Sequence, residues 1–322
     1  VHGYEGTGRG FAVRFNRVLD QQAPQWKSLK LYQPIRWAAD DPLEKFTFRA
    51  LLLDADPAGD EVLRGASLDE LEMEHLPRDQ LLEDEPLLRQ LFGLLVIAHY
   101  RTTPADLMHL LDGPNISIWV ARYRGAVAAA ALMATEGGLD KSLAEAIWQG
   151  KRRPHGHLLP QTLASKAGLR EAGLLRYQRI IRIAVHPGLQ GRGLGSELLR
   201  FLEDQARQQD MDCIGSSFGA TEELLEFWYR AELRPVRLGM RREASSGAHS
   251  ALLLRPLSAA GTALYDLARL RFLRQYPTQL AEPLSDLDAG VAVALLASTS
   301  QPTLSGEDLQ ELVLFADGGR DY

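Results

Sequence analysis

A glycine-rich loop follows a mainly apolar stretch past the middle of the chain. The apolar stretch covers residues 179–185, Pro187 interrupts it, and an amphipathic stretch begins at Leu194. The loop consists of Gln190, Gly191, Arg192, Gly193, Leu194, Gly195 and Ser196. Glycines allow a close backbone approach to an anion, and the first amides of a helix have no acceptor within it. The pattern therefore predicts a strand, a phosphate-binding loop and then a helix.

The segments around this loop predict alternating helices and strands. Apolar residues at helical spacing predict helices over residues 11–19, 86–99, 140–148, 194–208, 222–231, 259–276 and 305–316. Runs typical of β-structure predict strands over residues 27–35, 46–53, 116–123, 126–134, 179–185, 213–218, 236–239 and 250–254. Residues 54–65 predict a linker, and residues 151–182, which contain Pro154, Gly156 and Pro160, predict mostly loop ahead of the strand that begins at residue 179. This order favours an α/β fold.

Composition bounds the class of protein. The chain has 322 residues, of which 45% are hydrophobic, enough for two or three domains. Its apolar runs fall short of the roughly 18 residues of a membrane span, so we expect no membrane partner. A single cysteine, Cys213, excludes an internal disulfide and a cysteine-based metal cluster, and we expect a cytoplasmic protein without a metal site. Because the chain begins at Val1, we also expect a fragment of a longer protein.

The loop resembles the acetyl-CoA loop of the GNAT acetyltransferase superfamily, and residues 223–230 are similar to the helix after the fifth strand of that fold. Four further segments, residues 2–10, 98–102, 216–219 and 242–247, resemble the tRNA(Met) cytidine acetyltransferases. That resemblance implies a GNAT fold, with a mixed, mostly antiparallel sheet flanked by helices. It also implies a remnant of a RecD-like ATPase module at residues 1–55, a linker and helical lead-in at 56–87, the GNAT domain at 88–256, and the start of a C-terminal helical tRNA-binding region at 257–322.

The resemblance also implies roles for individual residues. Acetyl-CoA would meet the backbone of Ile183, Ala184 and Val185 with its pantetheine arm, and residues 190–196 with its pyrophosphate. An exposed strand edge can indeed pair with an amide-bearing chain. Glu223 and Arg230 would also contact acetyl-CoA, although the same spacing describes an ordinary pair on a helix surface.

An ATP site is implied only in part. Arg36 matches an ATP-contacting arginine of the family, where ATP acts with Mg²⁺. The phosphate-binding pattern G-x-x-x-x-G-K-[ST] is absent from this chain. We therefore expect no ATP hydrolysis by the chain alone.

Candidate acid-base residues are few. His99 and Tyr100 lie in a segment shared with the family and are the catalytic candidates, with a packing role as the alternative for the histidine. His186 directly follows the cofactor strand and is expected to be structural. Many GNAT enzymes place a tyrosine on the last helix, but Trp228 holds the corresponding position and Tyr229 would point elsewhere. The proton for the departing thiolate is therefore unassigned.

Opposite charges are separated along the chain. Residues 51–115 hold 4 Lys/Arg against 14 Asp/Glu, whereas residues 150–182 hold 8 against 1, in a chain of net charge −6. Such blocks are either solvated surfaces or binding faces. As an RNA-binding surface we single out Lys151, Arg152, Arg153, Arg241 and Arg242. Base-stacking candidates are Trp148, Tyr177, Trp228 and Tyr229.

These observations favour acetyl transfer from acetyl-CoA to the N4 amine of a tRNA cytidine, at the wobble position of elongator tRNA(Met), by a monomer. Two alternatives stay open. The GNAT core alone permits a protein or small-amine N-acetyltransferase, and the unassigned thiolate acid permits an acyl-CoA-binding module without catalysis.

Overall fold

The computed structural model describes residues 19, 22–27, 29, 35, 38–98, 102–243, 247–298 and 313. Arg36, His99 and Tyr100 lie outside the described residues. The same holds for most of the segments predicted as a helix over residues 11–19, a strand over residues 27–35 and a helix over residues 305–316.

Among the described residues, seven strands form one sheet in the order β1-β2-β3-β4-β5-β7-β6. They are β1 (Glu72–His75), β2 (Ile116–Tyr123), β3 (Ala126–Gly137), β4 (Arg176–Val185), β5 (Cys213–Gly219), β6 (Arg234–Arg242) and β7 (His249–Pro256). Neighbouring strands are antiparallel except β4 and β5, which are parallel. The predicted mixed, mostly antiparallel sheet is confirmed.

Helices cover both faces of this sheet. They are α1 (Pro42–Ala50), α2 (Asp60–Leu63), α3 (Arg78–Glu83), α4 (Glu85–Ala98), α5 (Pro104–Asp112), α6 (Lys141–Trp148), α7 (Leu158–Ser165), α8 (Leu194–Gln208), α9 (Glu222–Arg230), α10 (Ala259–Ala281) and α11 (Ala289–Ala297). In the part of the chain that the structure describes, none of these helices combines the length and apolar character needed to cross a membrane.

The core lies on the two faces of the sheet. Side chains alternate between faces along a strand, so Cys213 and Ile214 belong to different clusters. On the face of Ile214, α8 and α9 contribute Leu198 and Leu225. On the other face, α4 and α5 pack on β2 and β3, while α6, α7 and α10 pack on the strands from β4 to β7. Each large side chain buried here contributes about 1.5–3 kcal/mol.

The strand predicted over residues 46–53 is wrong, because this segment belongs largely to helix α1. The side chain of Asp41 accepts hydrogen bonds from the amides of Leu43 (2.8 Å) and Glu44 (3.1 Å), and Pro42 occupies the first helical position. An aspartate cap contributes about 0.5–2 kcal/mol to a helix, and proline at this position costs no hydrogen bond. These start signals outweigh the apolar run that follows.

The loop predicted before residue 179 is wrong in part. It contains α7, and β4 begins at Arg176. Pro160 is tolerated in the first turn of α7 because its missing amide would have no helical acceptor there. The amide of Leu159 donates to Glu136 Oε2 on β3 (2.8 Å), so a strand distant in sequence caps this helix.

The segment predicted as a linker packs into the fold. Ala55, Ala58 and Leu63 are buried, and α2 lies within this segment. Strand β1 also lies between residues 56 and 87, so the sheet begins ahead of the predicted GNAT domain. The helix predicted over residues 259–276 is confirmed and continues to Ala281.

We predict that Cys213 is inert in the folded chain. Burial raises the pKa of its thiol to about 12, with Asp212 contributing further. The folded state therefore holds a proton that the unfolded thiol, with a pKa of about 8.5, releases more readily. The stability contribution of this protonated thiol is complete below that unfolded value and is lost as the pH rises toward about 12.

Labelling with a thiol-reactive disulfide at about pH 8 should be negligible in buffer and stoichiometric in denaturant, since the thiolate is the reactive form. Cys213→Ser is the matched control and should give no label in either state. Full labelling of the native chain within minutes would contradict the prediction.

Candidate functional site

Strands β4 and β5 are joined along only part of their length. They pair from Tyr177 with Cys213 to Ile180 with Ser216, while β5 continues along β7 as far as Gly219. At the last pair, the Ser216 hydroxyl donates to the Ile180 carbonyl (2.9 Å). The register of β4 against β3 shifts at the next residue, Ile181, which marks a β-bulge. A bulge bends its strand, so a wedge opens between β4 and β5 beyond this point.

The predicted pantetheine-binding residues line this wedge. Ile183, Ala184 and Val185 pair with β3 on one side, and in the described part of the chain no strand pairs with their other edge. The amide of His186 donates to Ala128 of β3 (2.9 Å). Because backbone groups alternate along a strand, the polar groups of Ile183 and Val185 point to the open edge. Of these, the Val185 carbonyl accepts a hydrogen bond from Gln190 Nε2 (3.1 Å).

The glycine-rich loop has the backbone geometry that its sequence predicts. Gly191 and Gly193 have φ of +77° and +89°, a region in which side chains other than those of Asn and Asp are strained. A Cβ at residue 191 would meet no atom within 4 Å, and one at residue 193 only Leu68 at 3.9 Å. Glycine is thus favoured at both positions because of the positive φ and not because of crowding, and the space above them is open.

Helix α8 starts with free donors. Gly193 is its N-cap and makes no side-chain capping bond, while its carbonyl accepts from the amides of Ser196 and Glu197 (both 3.0 Å). Within the described residues, the amides of Leu194 and Gly195 have no hydrogen-bond acceptor. Two adjacent free amides at the positive end of a helix form an anion site.

Gly195 joins three elements of the site. A Cβ here would lie 3.1 Å from the ring of Phe227 on α9 and 3.5 Å from Val185 on β4. On α9, Glu223, Phe227 and Arg230 are spaced i, i+4 and i+7 and share a face. The structure therefore turns the predicted contact residues Glu223 and Arg230 toward the α8 side. Both are exposed, and Arg230 lies 3.5 Å from Glu226.

His186 is a structural residue of this site. The Gly188 amide donates to its Nδ1 (3.2 Å), so in the neutral ring Nε2 carries the proton and donates to the Ala58 carbonyl (2.8 Å). The side chain is 3% exposed, and the Asp60 carboxylate lies 3.8 Å from Nδ1. Both ring nitrogens are thus engaged in joining residues 58–60 to the loop, which supports the structural interpretation over a catalytic one.

Helix α9 offers no phenol to the wedge. Trp228 is buried and stacks on Phe218, with ring centroids 5.6 Å apart. Tyr229 points to the other side, where the Arg234 guanidinium lies 5.2 Å from its ring and burial raises the pKa of its hydroxyl. This matches the expectation that Tyr229 points elsewhere.

Near the bulge, Arg182 of β4 holds the start of α5. Its guanidinium donates to Asp106 Oδ1 and to the Thr102 hydroxyl (3.1 Å). Asp106 Oδ2 also accepts from the amide (2.7 Å) and hydroxyl (2.8 Å) of Thr103, forming a capping box. The candidates His99 and Tyr100 lie outside the described residues, so their catalytic role stays a prediction.

Sequence reasoning missed the contacts that Arg182, Glu136 and Phe227 make. Glu136 has a fully buried side chain and pairs with Arg179 (Nε to Oε1, 2.5 Å). A lone acidic residue at the end of a long apolar strand was the available signal for Glu136. The partners of Arg182 and Phe227 lie far away along the chain and left no local signal.

The two predicted RNA-binding clusters lie on separate surfaces. Residues 151–153 are exposed just beyond the C-terminus of α6, where positive charge also complements the helix dipole. Arg242 lies at the opposite end of the sheet, beside the end of β5, and pairs with Asp286 (2.6 Å). Hydrogen bonding from Arg242 lowers the pKa of the Asp286 carboxyl. Arg241 is exposed next to it.

Of the aromatic residues considered for base stacking, Trp148 alone is well exposed. It is 38% exposed, and the Arg170 guanidinium lies 5.1 Å from its ring. Tyr177 is fully buried and its hydroxyl donates to the Ala172 carbonyl (2.9 Å). Tyr177 and Trp228 are therefore core residues, and the prediction that they stack on RNA bases is wrong. Tyr229 is half-buried against the core, with Arg234 over its ring.

We predict that His186→Ala lowers the free energy of unfolding by about 1–3 kcal/mol, because the buried carbonyl of Ala58 loses its donor. Urea denaturation measures the change. The matched control is His155→Ala, an exposed site where the expected change is within about 0.5 kcal/mol. Equal stability of the two variants would contradict this role of His186.

Two family models match parts of the chain. Residues 1–54 match the family model described as RNA cytidine acetyltransferase NAT10/TcmA, helicase domain, and residues 90–209 and 198–258 match the model described as GNAT acetyltransferase 2. A solved structure, IAA acetyltransferase from Bacillus cereus ATCC 14579, is 16% identical over 58% of this chain and 99% of its own, with a TM-score of 0.36. The fold assignment rests on the strand order and the family model instead.

Three curated relatives share the name tRNA(Met) cytidine acetyltransferase TmcA. The protein of Nitrosococcus halophilus is 53% identical over 100% of this chain, that of Haloferax volcanii 45% over 92%, and that of Yersinia pestis 38% over 98%. The matches span 44%, 39% and 44% of the relatives' own lengths, so the chain covers less than half of each. With a helicase-domain match at its start and a GNAT match through its centre, the chain belongs to the tRNA(Met) cytidine acetyltransferase family.

Proposed function

We propose that the chain carries the acetyltransferase site of an enzyme that moves an acetyl group from acetyl-CoA to the N4 amine of a tRNA cytidine, at the wobble position of elongator tRNA(Met). The observation that carries the proposal is the wedge between β4 and β5, with free amides of α8 at its mouth. Membership of the family supports the choice of substrate.

Coenzyme A fits the residues present. The free amides of Leu194 and Gly195, with the open space above Gly191 and Gly193, suit a diphosphate. Arg192 is exposed beside them and can add positive charge. The outward polar groups of Ile183 and Val185 suit the amides of the pantetheine arm, as an added strand would. When bound, acetyl-CoA supplies an activated acetyl group as a thioester.

The chain's own groups would then polarise the thioester carbonyl and orient the cytosine amine. A cytosine amine is a weak nucleophile because its lone pair is delocalised, so holding it in place carries much of the rate. Outward amides of β4 near Val185 are the donors available to a carbonyl oxygen. His99 and Tyr100 are our candidates for proton removal. Cys213 is buried at the start of β5 and Tyr229 points away from the wedge, so water is left as the proton source for the thiolate.

The remaining ligands follow from the same proposal. Residues 1–54 match a helicase domain, and Arg36 would contact ATP, with Mg²⁺, in the longer protein. The tRNA would approach over the basic residues 151–153, and Arg241 and Arg242 would form a second contact. We place the protein in the cytoplasm, as a monomer.

Transfer to a protein or small amine is the competing function, and binding without catalysis is another. Incubating the chain with labelled acetyl-CoA and either an elongator tRNA(Met) transcript or a lysine peptide separates them. We expect label in RNA, recovered as N4-acetylcytidine, and none in the peptide. Label in the peptide alone would establish the first alternative, and no label in either would establish the second.

Gly193→Asp should weaken acetyl-CoA binding at least about ten-fold, because a carboxylate would face the diphosphate. Gly193→Asn is the matched control, since asparagine has the same shape and also tolerates the left-handed φ of +89°. Isothermal titration measures both affinities. Equal affinities for the two variants would show that the diphosphate does not bind at this loop.

A further inference from the structure

Two cavities meet on the face of the sheet opposite α8. The first, about 360 Å³, is lined by residues 153–158 and by α7, and the second, about 510 Å³, lies between the end of α7 and α10. Ser165 and Lys166 line both. We call the continuous depression the basic trough, and its charged or titratable lining residues are Arg153, His155, His157, Lys166, Arg271 and Arg274.

Charge in the basic trough is one-sided. Neither cavity has an aspartate or glutamate in its lining, although the chain as a whole carries net charge −6. Arg153, Lys166 and Arg274 are exposed, and among the described residues the side chain of none of them has an ion-pair or hydrogen-bond partner. By contrast, Arg200 and Arg207 on α8 both pair with glutamates. Cations gathered without counter-charges repel each other, so this arrangement favours a polyanionic ligand.

The fold holds the trough in shape. His157 Nδ1 accepts from the Gly137 amide (3.0 Å), and the Asn115 side chain donates to the Gly156 carbonyl (3.1 Å). Across the trough, Arg271 donates to the Ala167 carbonyl (2.8 Å) and fixes α10 against the end of α7. The lining is therefore pre-organised, which lowers the ordering cost of binding.

Its position suits a second substrate. The basic trough lies beside the start of β4, and the glycine-rich loop follows the end of the same strand. The ten residues of β4 span roughly 33 Å. The wedge opens between these ends, so a ligand in the trough and a diphosphate at α8 would approach the same wedge from opposite sides.

We propose that the basic trough binds the sugar-phosphate backbone of the RNA substrate. This inference rests on the proposed function and adds α10 and the end of α7 to the RNA surface. Arg153, Lys166 and Arg274 would neutralise successive phosphates. Gln161, Thr162 and Ser165 line the trough as polar neighbours for the sugar-phosphate chain. An acidic protein segment is the rival ligand, and its binding is an outcome of the test.

The test compares Lys166→Gln/Arg274→Gln with Arg124→Gln in the full chain. The double variant removes two exposed positive charges and the control removes one. Arg124 lies at the far end of β2 from Asn115, roughly 30 Å away. Binding of a fluorescent elongator tRNA(Met) transcript is measured from about 50 to 200 mM salt. Acetyl-CoA affinity is measured in parallel and should be unchanged in every variant.

We expect the double variant to bind the transcript at least about ten-fold more weakly at the lowest salt, with the slope of log affinity against log salt reduced by roughly 1.5. Arg124→Gln should retain the original affinity and slope. Unchanged affinity and slope in the double variant, alongside intact RNA acetylation, would overturn the proposal that the basic trough binds RNA. The proposed function would still stand. Absence of RNA binding by the unsubstituted chain, with acetylation of the lysine peptide, would overturn both.

A fluorescent polyglutamate peptide tests the rival. If Lys166 and Arg274 are needed for its binding and not for that of the transcript, the trough takes an acidic protein segment and the RNA proposal falls.

Discussion

The site depends on where the pairing of β4 and β5 stops. If the two strands stayed paired to their ends, the polar groups of Ile183 and Val185 would be used within the sheet. The bulge at Ile181 bends β4, and the Ser216 hydroxyl satisfies the Ile180 carbonyl at the last pair. An unpaired strand edge is usually a liability, because it invites pairing with another chain. Here the open edge of β4 is the surface that we propose for the pantetheine arm.

Long-range contacts position the elements around the wedge. Glu136 accepts hydrogen bonds from the amide of Leu159, in the first turn of α7, and from the guanidinium of Arg179, so both oxygens of a fully buried carboxylate are satisfied. Removing one partner of such a pair typically costs about 3–5 kcal/mol. His186 similarly joins residues 58–60 to the loop, and Arg182 joins β4 to α5. The starts of α5 and α7 and the glycine-rich loop are thereby held in place against one strand, β4. This strand carries the candidate cofactor contacts.

The two proposed anion sites differ in the kind of donor that they offer. Near α8, the donors are backbone amides with few full charges, an arrangement that suits one compact diphosphate. At the other end of β4, Arg153, Lys166 and Arg274 line the basic trough, and their side chains have no partner among the described residues. This arrangement suits an extended polyanion.

The sequence alone determined the loop, the helix after it and the order of most strands, because glycine spacing and apolar periodicity report local backbone preferences. It missed α7 and mistook α1 for a strand, since in α7 the cap comes from Glu136 and in α1 the Asp-Pro start outweighs the apolar run. Only the tertiary structure decided that Tyr177 and Trp228 are core residues, that His186 is engaged at both nitrogens, and that Lys166 and Arg274 share a surface. These are contacts between residues distant in the chain, and no local pattern encodes which partner a side chain meets after folding.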